Sequence, residues 1–111
     1  MIARIWRGRV ATADAAAYVR YIESTGIAEY SASPGNVGAS MLVRSLADGT
    51  TEVVTLSFWT TMEAINGFAG PDPGQAVFYP EDDRYLVERE TTVTHWDVPI
   101  HLPAGRDEAG H

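Results

Sequence analysis

The chain has 111 residues, enough for one domain and too few for two comfortable ones. Hydrophobic residues make up 45% of it, so most of the chain should fold, and its net charge of −7 disfavours nucleic acid or an anionic membrane surface as partner. It contains no cysteine, which excludes disulfides, thiolate catalysis and zinc sites built on sulfur.

The segment Ile2 to Val10 reads as a strand, with Ile2, Arg4 and Trp6 on one face and Ala3, Ile5 and Arg7 on the other. Thr12 is a helix cap, Asp14 suits the first turn, and Ala15, Tyr18, Val19 and Ile22 follow the helical period. Gly26 is placed to end that helix near Thr25, with Ile27 to Tyr30 adding one more turn. After the turn Ser33-Pro34-Gly35-Asn36, a second strand runs from Val37 to Leu46. Asp48-Gly49 is a hairpin signal, and Glu52 to Trp59 is the third strand. Thr60-Thr61-Met62-Glu63 has capping-box spacing and opens a second helix carrying Ala64, Ile65 and Phe68, which Gly70-Pro71 stops. Gln75 to Tyr79 forms a short helical turn before Pro80, and Glu88 to Val98 is the fourth strand.

This order, β-α-β-β-α-β, predicts a ferredoxin-like α+β domain over residues 1–98, followed by a loosely held tail, 99–111. Both helices cover one face of a four-stranded antiparallel sheet. The other face also carries alternate apolar residues, and a second copy of the sheet would cover it with two-fold symmetry. A homodimer in the dimeric α/β-barrel style is therefore expected. Met1 to Arg7 has no signal-peptide pattern and no stretch is long enough for a membrane span, so the expected compartment is the cytoplasm.

The chain lacks G-x-G-x-x-G, P-loop, G-x-S-x-G and H-E-x-x-H patterns, so no nucleotide, flavin or serine nucleophile is expected. His95, His101 and His111 have no metal-ligand spacing, and no metal is expected. His95 lies mid-strand. It suits a general base, because imidazole titrates near neutral pH, and equally a half-buried histidine bonded to a neighbour. Tyr79 can bind or protonate a phenolic substrate, or simply edge a small core, as can Tyr85. Arg4 can hold an enolate or phenolate oxygen with permanently charged, rigid donors, or form an ion pair with one of the acids. Trp6, Trp59, Phe68 and Phe78 are the aromatic lining available to a flat ligand, and each also suits an ordinary core. Glu81-Asp82-Asp83 reads as a solvated turn.

Four pieces carry a resemblance to a known family: Ile2-Ala3-Arg4-Ile5-Trp6-Arg7-Gly8, Leu56-Ser57-Phe58-Trp59, Met62-Glu63-Ala64-Ile65 and Tyr79-Pro80-Glu81-Asp82. Over roughly residues 1–98 the chain resembles the antibiotic biosynthesis monooxygenase superfamily. That resemblance implies a cofactor-independent monooxygenase or related tailoring enzyme acting on an aromatic or polyketide-like small molecule. On the residues' own acid–base and charge character, the catalytic candidates are His95, Tyr79 and Arg4. A non-catalytic small-molecule-binding dimer, or an isomerase or cyclase on the same scaffold, is the alternative. The haem-degrading branch of the superfamily carries an Asn, a Trp and an iron-ligating His at places that hold Arg4, Phe68 and Phe78 here. Phenylalanine cannot ligate iron, so no haem, and no other cofactor, is expected.

Overall fold

The computed structural model describes residues 1–103; the remaining tail, His111 included, lies outside the described residues. Strand β1 (Ile2–Ala11) leads through a 3₁₀ turn into helix α1 (Ala15–Ile22), a π turn (Glu23–Ile27) and helix α2 (Ala28–Ala32). Strands β2 (Asn36–Ser45) and β3 (Thr50–Trp59) form a hairpin. Helix α3 (Met62–Ala69), a long loop and the short helix α4 (Asp82–Tyr85) precede β4 (Leu86–Arg89) and β5 (Thr94–Asp97). The sheet order is β2-β3-β1-β4, with β5 also on β1, and every pairing is antiparallel. This is the expected α+β ferredoxin-like topology.

The sheet has five strands where four were expected. The predicted Glu88–Val98 strand is two pieces that pair with different stretches of β1, β4 beside Gly8–Val10 and β5 beside Ile2–Ile5. Between them the backbone turns to the loop before α4 instead: Ala76 N–H donates to Thr91 O at 2.9 Å and Val93 N–H to Gly74 O at 2.9 Å. The loop thus takes the hydrogen bonds that a continuous strand would have given to β1.

Three other local expectations change. Thr12 caps no helix; its hydroxyl lies 3.0 Å from that of Thr51 and its N–H donates to Gly49 O at 3.0 Å, tying it to the hairpin. Gly26 does not end the first helix, which continues to Ala32 because Ile22, Ile27 and Tyr30 keep its apolar face on the sheet. Thr61, not Thr60, caps α3, accepting from Ala64 N–H at 3.1 Å. Gly70, with φ 90°, closes α3 where a stop was predicted.

The predicted helical turn at Gln75–Tyr79 is extended, and Gln75 bridges Thr92. The helical turn comes after Pro80, at α4. A proline pushes the residue before it towards extended backbone and starts a helix well.

The core lies between the sheet and the helices in two clusters. One joins Trp6, Val10, Val53 and Leu86 of the sheet to Tyr18 and Ile22 of α1. The other joins Tyr30 of α2, Trp59 of β3 and Ile65 of α3. The opposite face, with Ile5, Leu42, Val54 and Leu56, has no helix over it among the described residues. Among the described residues no helix is long and apolar enough to cross a membrane.

Candidate functional site

Strand alternation sends Arg4 and Trp6 from β1 into the space between sheet and helices. β5 pairs Arg4 directly with His95, so both side chains share that face. Arg4 is 3% exposed. Its Nη1 donates to Pro73 O at 2.5 Å and to His95 Nε2 at 3.0 Å, and its Nη2 donates to Gln75 O at 3.0 Å. The Phe68 ring lies beneath it at 5.8 Å. None of the ion pairs among the described residues involves Arg4. Burial pulls its pKa below the ordinary value, partly offset by the Tyr30 and Tyr79 phenols.

An arginine donates only, so His95 Nε2 is the acceptor and its proton sits on Nδ1. Burial first, and then the Arg4 charge, lower the His95 pKa, so the ring is neutral at neutral pH. Its basic lone pair is already engaged. His95 supports Arg4 and is not among the residues lining the cavity.

That cavity, about 30 Å³, opens between Arg4 and Trp6 of the sheet and Tyr18, Gly26 and Tyr30 of the helical layer. Phe68 of α3 and Phe78, Tyr79 and Asp82 of the covering segment complete it. The volume suits a few waters rather than a flat ring system, so a larger ligand must displace the covering loop. Trp6 donates from its indole N–H to Glu90 O at 2.6 Å and meets Phe78 edge-on, ring centres 6.1 Å apart. Gly8 leaves room for that indole: a Cβ there would fall 2.6 Å from it. Trp59, expected in the lining, is instead fully buried, donates to Ser57 Oγ at 2.9 Å and packs on Tyr30 and Phe68 behind the cavity.

Tyr79 lines the cavity, and its hydroxyl is buried with no hydrogen-bond partner among the described residues. Burial, then the nearby Glu29 carboxylate, push that phenol well above its ordinary pKa, so it stays protonated. It can therefore donate. Tyr85 stacks with Tyr18 and Tyr21 and plays no part in the cavity.

Asp82 overturns the reading of Glu81-Asp82-Asp83 as a solvated turn. It is 3% exposed, and accepts from Tyr18 Oη at 3.1 Å and from Tyr79 N–H at 2.6 Å. Burial, with the Asp82 charge beside it, raises the Tyr18 pKa strongly, so Tyr18 remains a neutral donor. The signal lay in Tyr79-Pro80-Glu81-Asp82: a proline that turns the chain ahead of α4 and an acid three residues after Tyr79, placed to reach back to the Tyr79 N–H. Among the described residues no three His, Asp or Glu side chains are grouped to hold a metal.

No family model matches this chain, and no curated protein matches it. Solved structures do. A candidate antibiotic biosynthesis monooxygenase from Bacillus cereus superposes with a TM-score of 0.61 at 20% identity, over 93% of this chain and 97% of that one. The chain has the fold of these monooxygenase-type proteins. SnoaB, a cofactor-independent oxygenase from Streptomyces nogalater, gives 0.56 at 19% identity, over 92% and 96%. MhuD, solved as a point mutant with two manganese protoporphyrin IX molecules per active site, gives 0.56 at 16%, over 94% and 100%. Such identities establish fold, and leave the chemistry to the side chains.

Proposed function

We propose that this chain is a cofactor-independent oxygenase of an acidic aromatic small molecule, working as a homodimer closed through its open sheet face. The observation that carries the reading is Arg4, a buried guanidinium at an aromatic-lined cavity that has no carboxylate partner among the described residues. A buried charge is costly unless paired, and an anionic oxygen is the partner this one lacks.

The chemistry needs no redox group. A base takes a proton from an acidic C–H beside a phenol or ketone, and its electron pair stays on the ligand as an enolate. That anion gives its electrons to dioxygen, forming a C–O bond and, once protonated, a hydroperoxide. Loss of water leaves a new carbonyl, so one CH2 and one O2 become one C=O and one H2O. Arg4 holds the enolate oxygen as charge develops, and the Tyr79 hydroxyl is a second donor. To do so Arg4 exchanges the Pro73 and Gln75 carbonyls for the ligand, which also frees the covering loop and enlarges the cavity.

The tight cavity and the engaged lone pair of His95 favour a second reading, a binder without chemistry. Aerobic turnover of an anthrone in chelator-treated buffer decides between them. The oxygenase consumes one O2 per anthraquinone formed, and the binder consumes none beyond the uncatalysed rate.

A further inference from the structure

Deprotonation inside the cavity requires an acceptor, and His95 is badly placed because its lone pair already receives an Arg4 N–H. The other buried charge of the cavity is Asp82. No ion pair among the described residues includes it, just as none includes Arg4. Two opposite charges thus line one small cavity, each buried and neither neutralised by a salt bridge.

Part of Asp82 is architecture. Its Oδ2 accepts the Tyr79 N–H that heads the turn after Pro80, which a surface aspartate would do as well. Capping explains neither its burial nor its position in the cavity. Its Oδ1 accepts from Tyr18 across 64 residues of chain, and both residues line the cavity. A carboxylate oxygen takes more than one hydrogen bond, so Oδ1 keeps capacity beyond that phenol.

We propose that Asp82 is the proton acceptor of this cavity, opposed to Arg4. The proposal rests on the reading of the cavity as a carbanion site. The C–H proton goes to Oδ1, and the C–H electron pair passes to the oxygen facing Arg4. The neutral acid then donates from Oδ1 to Tyr18 Oη, while Oδ2 keeps the Tyr79 N–H. From Oδ1 the proton exchanges with solvent or returns to the peroxide. One negative charge moves from Asp82 to the ligand, so the cavity's net charge is unchanged through the step.

The test removes dioxygen. Under argon in D2O, the full chain should accelerate deuterium entry at the methylene of an anthrone, read by NMR. Asp82→Asn keeps an acceptor for the Tyr79 N–H and should slow exchange about 10²–10⁴-fold, the range for losing a general base. Binding of anthraquinone-2-carboxylate, which has no acidic C–H, should be retained by calorimetry. Tyr18→Phe keeps both the carboxylate and the cap but removes the phenol that meets Oδ1, so it should slow exchange less than Asp82→Asn does. Wild-type exchange by Asp82→Asn, or exchange abolished by Tyr18→Phe, overturns the assignment. A chain that exchanges through Asp82 but consumes no oxygen refutes the oxygenase reading alone. A chain that consumes oxygen while Asp82→Asn exchanges normally refutes only the role of Asp82.

Discussion

Arg4 keeps a buried charge with two loop carbonyls, one neutral imidazole and the Phe68 ring. His95 must stay uncharged for this, since two cations 3.0 Å apart in a desolvated space repel strongly. The folded His95 pKa is depressed, so as pH falls the unfolded chain takes up the proton first and folding stability declines. That loss begins below the ordinary imidazole value and runs down to the folded one. Glutamine in place of His95 does not titrate. The stability advantage of wild type over His95→Gln should therefore shrink between about pH 7 and pH 5, read by urea unfolding. An advantage that grows as pH falls would contradict the pairing. Strand alternation puts Arg4 on the face of Trp6, and that much was legible in the sequence. Their meeting with His95 was not, because it depends on the antiparallel register of β5, which local pattern does not encode. Asp82 escaped notice for a related reason: an acid among acids is read as solvent-facing until the chain is folded against Tyr18.

The helix from Ala15 to Ala32 crosses a glycine by widening to a π turn, a device common near functional sites. Local signals said stop; the apolar positions Ile22, Ile27 and Tyr30, packed on the sheet, said continue, and tertiary packing won. Helical periodicity was therefore readable while the helix end was not. The fourth strand failed similarly, because its break depends on the loop at Gly74–Ala76 competing for hydrogen bonds. Gly26 is not constrained by space, since a Cβ there would sit 3.6 Å from the Tyr79 ring and 3.8 Å from Ile22, ordinary contacts. Gly26→Ala should stabilise the fold by about 0.5–1 kcal/mol, the usual helix gain over glycine. Because Gly26 lines the cavity, the same methyl should weaken binding of anthraquinone-2-carboxylate. Thermal unfolding and calorimetry measure the two effects, and lower stability would contradict the geometry.

At the scale of the whole molecule, the helices of the described residues cover one face of the sheet and leave the other, with Ile5, Leu42, Val54 and Leu56, without a helix of theirs. Leu42 is 48% exposed, and Trp96 and Leu102 are also exposed. A second copy pairing on this face would bury an apolar interface of standard size or larger, above about 1,200 Å² in total. Light scattering at micromolar protein should give twice the 12.1 kDa chain mass, and Leu56→Asp, which puts a charge at the face's centre, should give the single chain. A monomeric wild type would contradict the assembly while leaving the cavity chemistry untouched, because Arg4, Tyr79 and Asp82 all come from one chain.

The central claim is that Arg4 holds an oxyanion during cofactor-free oxygen chemistry, and an oxygen electrode tests it most directly. With an anthrone in chelator-treated buffer, the wild-type chain should consume one O2 per quinone formed. Arg4→Gln, which removes the charge and the fork together, should lower kcat by about 10²–10³-fold, the loss usual for an oxyanion donor. Wild-type oxygen uptake no faster than the uncatalysed reaction, or undiminished turnover by Arg4→Gln, would contradict it.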